Sequence, residues 1–195
     1  YPWVIENMKK LGIKKVADLG CGSADVLISL CEEDKNLKGV GVDISHDALK
    51  EAKTRISQKG FDNRISLVQG DLYKPETFSK KLSDVDGFNA IMVMHEFLRD
   101  GKEKVIQMFK DMKKEFKGKY FFLGEFDCLE DKEYQELPYP DRIHFLFYQH
   151  IIHPLTWQGL GHQEDWMEIF EKANIELVKM EDKLNFRLVQ FILKF

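Results

Sequence analysis

Hydrophobic and polar positions follow two alternating rhythms along the chain. Short, mostly apolar runs recur at Lys15–Leu19, Gly39–Val42, Ile65–Val68 and Phe88–Met94, and another begins at Tyr120–Leu123. Runs of this length predict strands, and Phe88–Met94 is apolar on both faces, as a central parallel strand is. Between them lie segments of helical character. Trp3–Leu11 ends at Gly12, Ala24–Cys31 follows a glycine turn, and Ser45 is placed to cap a helix running to Lys59. Lys102–Phe116 carries Val105, Ile106, Phe109, Met112 and Phe116 at helical spacing. Such alternation predicts an α/β fold with a parallel sheet covered by helices on both faces.

The rhythm changes after Phe126. Asp127–Asp141 is a polar insertion with two prolines, and an aromatic-rich helix over Arg142–Ile152 is expected to stop before Pro154. Glu164–Ala173 is another helix, and Ile175–Met180 with Phe186–Leu193 reads as a closing hairpin. The 195 residues suit one domain with one sizeable core. The insertion, about 127–162, is where substrate contacts are expected.

Charge and composition narrow the partners. Twenty-nine basic and 33 acidic residues give a net charge of −4. With no basic arm, nucleic acid or an anionic membrane is not the expected partner. No apolar run reaches the ~20 residues of a membrane span. Cys21, Cys31 and Cys128 form no CxxC pair, so free thiols and a cytoplasmic setting are expected. The chain starts at Tyr1-Pro2-Trp3; a preceding N-terminal region that could hold part of the active site is expected.

Candidate chemistry begins at Val16-Ala-Asp-Leu-Gly-Cys-Gly-Ser-Ala-Asp25. Here a strand ends in a turn whose Gly20 and Gly22 allow close backbone approach to a ligand. Asp18 stands two residues before Gly20. Asp43 closes the second strand in Val40-Gly-Val-Asp43, and Asp71 follows the third in Val68-Gln-Gly-Asp71-Leu72. A carboxylate at the second position can take both ribose hydroxyls, and one at the third can accept an adenine amino group. Together these residues resemble the S-adenosylmethionine pocket of class I methyltransferases, from about Trp3 onward. Ala24 stands where that family often has a third glycine. The resemblance implies a Rossmann-like seven-stranded sheet, parallel except for the last strand. It also implies Gly20 and Gly22 at the methionine part, Asp18 near its ammonium, Asp43 on ribose, and Asp71 and Leu72 on adenine. For Asp18 a structural carboxylate bonding loop amides is the other reading.

Three further groups gather at the carboxyl ends of the strands: His95 after the fourth, Glu125 after the fifth, and His150 or His153 in Gln149-His150-Ile-Ile-His153-Pro-Leu-Thr156-Trp-Gln158. Two histidines and a carboxylate suit a first-row divalent metal, iron or zinc. The set resembles the metal-binding branch of methyltransferases that methylate the β-carbon of 2-oxo acids. That resemblance implies His95, Glu125 and His153 as ligands; the expected reaction is methylation of a small molecule at the carbon beside the ketone of a 2-oxo acid, with His150 as base. Plainer readings stay open. His95 could contact substrate, Glu125 could pair with a cation, either insertion histidine could be a core residue, and Glu96 is an alternative carboxylate. Tyr134, Tyr139, Phe147, Tyr148 and Trp157 line a substrate pocket or are core, with core favoured for Phe147. A metal-free O- or N-methyltransferase using His95 or His153 as base, and a regulatory domain binding the cofactor without turnover, are the rival functions. Oligomeric state is left open.

Overall fold

The computed structural model describes residues 1–183 and 188–195. Seven strands form one sheet in the order β3-β2-β1-β4-β5-β7-β6. They are β1 (Lys15–Leu19), β2 (Lys38–Asp43), β3 (Ile65–Gln69), β4 (Gly87–Ile91), β5 (Tyr120–Phe126), β6 (Glu176–Lys183) and β7 (Leu188–Lys194). The pairs from β3 through β5 are parallel, and β7 runs antiparallel to both β5 and β6. The closing hairpin is therefore present with only the last strand reversed; Phe186, assigned to it from sequence, lies outside the described residues.

Helices α1 (Pro2–Lys10), α2 (Asp25–Glu33) and α3 (His46–Gln58) cover one face, and α4 (Lys102–Glu115) and α8 (Gln163–Lys172) the other. Neighbouring residues on a strand point to opposite faces. Phe121 therefore joins Phe109, Phe170 and Phe191 on one side, while Phe122 joins Val16, Leu27 and Ile192 on the other. Ser45 caps α3 by accepting from the Ala48 N–H at 3.2 Å. Cys21, Cys31 and Cys128 are buried free thiols. Among the described residues no helix is long and apolar enough to cross a membrane.

Two elements differ from the sequence expectation, and both lie at the carboxyl edge. β4 stops at Ile91 rather than Met94. Met92 takes a positive φ of 61°, and Met94–Asp100 becomes a 3-10 helix carrying His95. The apolar run hid this turn, because Met94 stays buried after leaving the sheet. In the insertion, a short helix α5 (Asp131–Glu136) precedes α6 (Tyr139–Phe147), a π-helical turn (Tyr148–Ile152) and α7 (His153–Leu155). Pro154 does not end the helix. It sits at the start of α7 beyond the widened turn, where its missing N–H is accommodated.

Candidate active site

The glycine turn leaves β1 at the carboxyl edge of the sheet. Gly20 and Gly22 have φ of +68° and +50°, a region that side chains enter at a cost and glycine freely. A Cβ on Gly20 would collide with the Val93 side chain, whereas one on Gly22 would meet nothing within 4 Å. That open space belongs to a cleft of about 350 Å³ walled by Gly20, Gly22, Asp43, Asp71 and Leu72. The volume falls in the usual range for small-ligand pockets.

Asp43 and Asp71 are both held by backbone amides. Asp43 accepts from the Gly22 N–H at 2.9 Å through Oδ2 and from the Ser45 N–H at 2.8 Å through Oδ1. It thereby ties the end of β2 to the glycine turn. Asp71 accepts from the Tyr73 N–H at 3.0 Å, with Lys74 Nζ 3.9 Å away. Ile44, Tyr73, Val93, Glu96, Phe97 and Arg99 complete the walls. Tyr73 and Phe97 meet edge to face, centroids 5.0 Å apart. Val93, Glu96 and Arg99 recur every three residues, the period of the 3-10 helix, and so share its cleft face. This face went unread while Val93 was assigned to a strand. The cleft therefore offers apolar walls and carboxylates at the end of β2 and just after β3.

Asp18 lies deeper. It is buried in β1, in register with Asn89 of β4, whose Nδ2 donates to it at 2.7 Å. Its structural partner is a side chain rather than the loop amides. Burial raises the Asp18 carboxyl to about 7; the Asn89 hydrogen bond opposes that shift and the Asp43 charge adds to it. Asn89 was missed in the sequence, although a polar residue inside the apolar Phe88–Met94 run was the available signal.

Beside the cleft, His95, Glu125 and His153 come together in the interior, each almost fully buried. Glu125 ends β5 and organises the others. Its Oε1 accepts from the Val93 and Met94 N–H groups at 3.2 and 2.6 Å, and its Oε2 from His95 Nδ1 at 2.7 Å. The carboxylate thus satisfies the orphan amides of the 3-10 helix and orients the imidazole in one stroke. Burial lowers the His95 pKa, but the Glu125 hydrogen bond and charge, with a contribution from Glu96, outweigh it and hold His95 above its ordinary value. The His153 ring stands 5.3 Å from that of His95, inclined at 68°, and its Nδ1 lies 2.7 Å from the Tyr148 carbonyl. Gln158 Nε2 donates to Glu96 Oε1 at 3.1 Å and links the insertion to the cleft wall.

The expected metal triad is not formed in this arrangement. Glu125 directs both oxygens at hydrogen-bond donors, and among the described residues no three His, Cys, Asp or Glu side chains are grouped to hold a metal ion. His150, expected as a base, is exposed on the π turn and lines neither the cleft nor the small pocket beside His153. That pocket, about 20 Å³, is walled by Phe126, Phe145, Tyr148 and Gln149. Phe147 is exposed rather than core, as are Tyr139, Tyr148 and Trp157, and of these four Tyr148 also lines the pocket. Nothing is described of the Tyr134 side chain.

Comparison with known proteins agrees with this fold. The curated methyltransferase ungE' of Aspergillus campestris is 25% identical over 95 residues, which are 49% of this chain and 28% of that protein. The methyltransferase domain of a bacterial CtHen1 superposes with a TM-score of 0.71 at 20% identity, covering 100% of this chain and 96% of that one. The O-methyltransferase NcsB1, solved with S-adenosylmethionine and 2-hydroxy-5-methyl naphthoic acid, superposes with a TM-score of 0.70 at 13% identity, covering 100% and 52%. This chain thus spans little more than a quarter of the curated relative and about half of NcsB1. The fold is that of the S-adenosylmethionine-dependent methyltransferases. Residues 12–174 match the family model described as a methyltransferase domain, and the chain belongs to that family.

Proposed function

We propose that the chain transfers a methyl group from S-adenosylmethionine to an oxygen or nitrogen of a small molecule, with His95 as general base. The buried His95–Glu125 pair beside the cleft carries this reading. Gly20 and Gly22 would hold the methionine part, Asp43 the ribose, and Asp71 and Leu72 the adenine. Asp18 acts from beneath the turn as counter-charge to the ammonium group. When bound, S-adenosylmethionine supplies an electrophilic methyl on a sulfonium. His95 Nε2 removes the proton from the acceptor, and Glu125 stabilises the resulting imidazolium and fixes its plane. Such proton transfer contributes roughly 10²–10⁴-fold. The solved neighbour that holds an aromatic hydroxy acid supports an acceptor of that size.

C-methylation of a 2-oxo acid through an iron or zinc ion is the second reading. Paired histidines whose outer nitrogens are anchored, as here, suit metal ligation. It requires Glu125, whose oxygens already accept from Val93, Met94 and His95, to turn a further lone pair to the ion, whereas the dyad uses the carboxylate as it stands and is therefore the better supported. The test incubates chelator-treated protein of verified metal content with methyl-labelled S-adenosylmethionine and a panel of phenols, amines and 2-oxo acids. Label on oxygen or nitrogen acceptors, lost in His95→Ala while cofactor affinity persists, is the expected result. Label on 2-oxo acids alone, returning only with added metal, would reverse the choice. No label on any acceptor despite intact cofactor binding would favour a regulatory role.

A further inference from the structure

The two imidazoles at the reacting end are each locked in one tautomer. A carbonyl oxygen can only accept, so the 2.7 Å contact to Tyr148 places the His153 hydrogen on Nδ1. The Glu125 carboxylate does the same for His95. A neutral imidazole has one N–H, so both Nε2 atoms present lone pairs. The rings lie 5.3 Å apart, with the Glu96 carboxylate half-buried on the adjoining cleft wall. Gln149 offers nothing in return, because both ends of its amide are engaged with the Leu129 backbone.

The π turn makes the His153 lock. Tyr148 O accepts the backbone N–H of His153 five residues on, and also its Nδ1–H. One carbonyl thus fixes both the position and the tautomer of a nearly buried side chain.

We propose that His153 is a specificity-determining residue that reads a second hydrogen-bond donor on the substrate, next to the atom that is methylated. This rests on the methyl-transfer reading above. The substrate class is a vicinal pair of donors, as in a catechol. The first hydroxyl gives its proton to His95 Nε2, and its oxygen lone pair forms the new bond to the methyl carbon. The electron pair of the broken carbon–sulfur bond stays on sulfur. The second hydroxyl keeps its proton and donates it to His153 Nε2. A 2-oxo acid carries only acceptors and meets two lone pairs and a carboxylate.

The experiment measures binding of catechol and phenol, which differ by one hydroxyl, to the protein loaded with S-adenosylhomocysteine. Wild type should hold catechol about ten- to a hundredfold more tightly, the usual consequence of leaving a buried acceptor unpaired. His153→Phe should erase that preference, tightening phenol and weakening catechol, because no acceptor is left to satisfy. His153→Gln, whose Oε1 can stand near the lost Nε2, should keep most of it. Both variants must retain S-adenosylhomocysteine affinity, which reports an intact fold. Equal binding of the two probes, binding of neither, or a preference that survives in His153→Phe would overturn the proposal. If catechol binds as described but takes no label from S-adenosylmethionine, the donor-reading role stands and the methyl-transfer reading fails.

Discussion

Glu125→Gln tests the dyad without altering its shape. Glu125 has three donors to satisfy, at 2.6, 2.7 and 3.2 Å. A glutamine has one acceptor oxygen and one NH2 group. If the oxygen stays on the Val93 and Met94 amides, the NH2 faces His95 Nδ1 and forces that nitrogen to accept. The proton then moves to Nε2, the atom that must be free to act as base. Catalysis should fall by the contribution of the base, about 10²–10⁴-fold in kcat, with cofactor affinity nearly unchanged. The pH profile should move as well. In the wild type His95 is held above its ordinary value of 6.5, so activity rises with pH through a point above 6.5. Removing the Glu125 charge leaves burial, which lowers the pKa, opposed only by the smaller contribution of Glu96, and the remaining activity should rise at lower pH. Nitrogen-15 NMR reads the tautomer directly: Nδ1–H in the wild type, Nε2–H in the variant. A variant that keeps its Nδ1–H signal, or that retains kcat within threefold with an unmoved pH limb, would refute the dyad.

Asp43→Ala should weaken S-adenosylmethionine about ten- to a hundredfold, the loss of a charge-assisted contact; calorimetry on folded protein showing unchanged affinity would remove Asp43 from the ribose. Gly20→Ala combines an unfavourable φ with a collision against Val93, and should cost about 2–4 kcal/mol of stability. Val93→Ala in the same chain should recover only the steric part, as urea unfolding would reveal. Asp18 titrates near 7 when folded and near 3.8 when unfolded, so the folded state binds the extra proton. Its stabilising contribution is complete below the unfolded value and is lost as pH rises towards 7, about 4 kcal/mol at 1.36 per unit. Asp18→Asn should remove that fall in cofactor-free protein, and parallel stability curves for variant and wild type between pH 4 and 8 would contradict the buried assignment.

Most of the sheet was legible because apolar runs and glycine turns are local signals. The cleft was legible for the same reason: Gly20, Gly22, Asp43 and Asp71 each end or follow a strand, so their places at the carboxyl edge come with the topology. What failed was decided between elements. The apolar run Phe88–Met94 gave no sign that Met92 would turn the chain out of the sheet, since Met94 is buried in either conformation. The role of Glu125 depends on which donors reach it, and two are backbone amides of Val93 and Met94, invisible as residue types. Pro154 predicts a helix end because a proline inside an α-helix costs ~3 kcal/mol, and the single wide turn before it evades that cost. Phe147 shows the weakness of composition as a guide to burial, for its helix is covered on one side only and Phe147 lies on the other.

The π turn at Tyr148–Ile152 gives the insertion an unusual mode of divergence. A wide turn differs from an ordinary one by a single residue, and removing that residue returns the helix to regular winding. Everything beyond it would then rotate by about 100°, carrying the 153 side chain away from His95. Gain or loss of this histidine from the site is therefore a matter of chain length, achieved in one insertion or deletion with no change of residue type. Among relatives, a histidine aligned at 153 identifies the same arrangement only where the helix before it has the same number of residues.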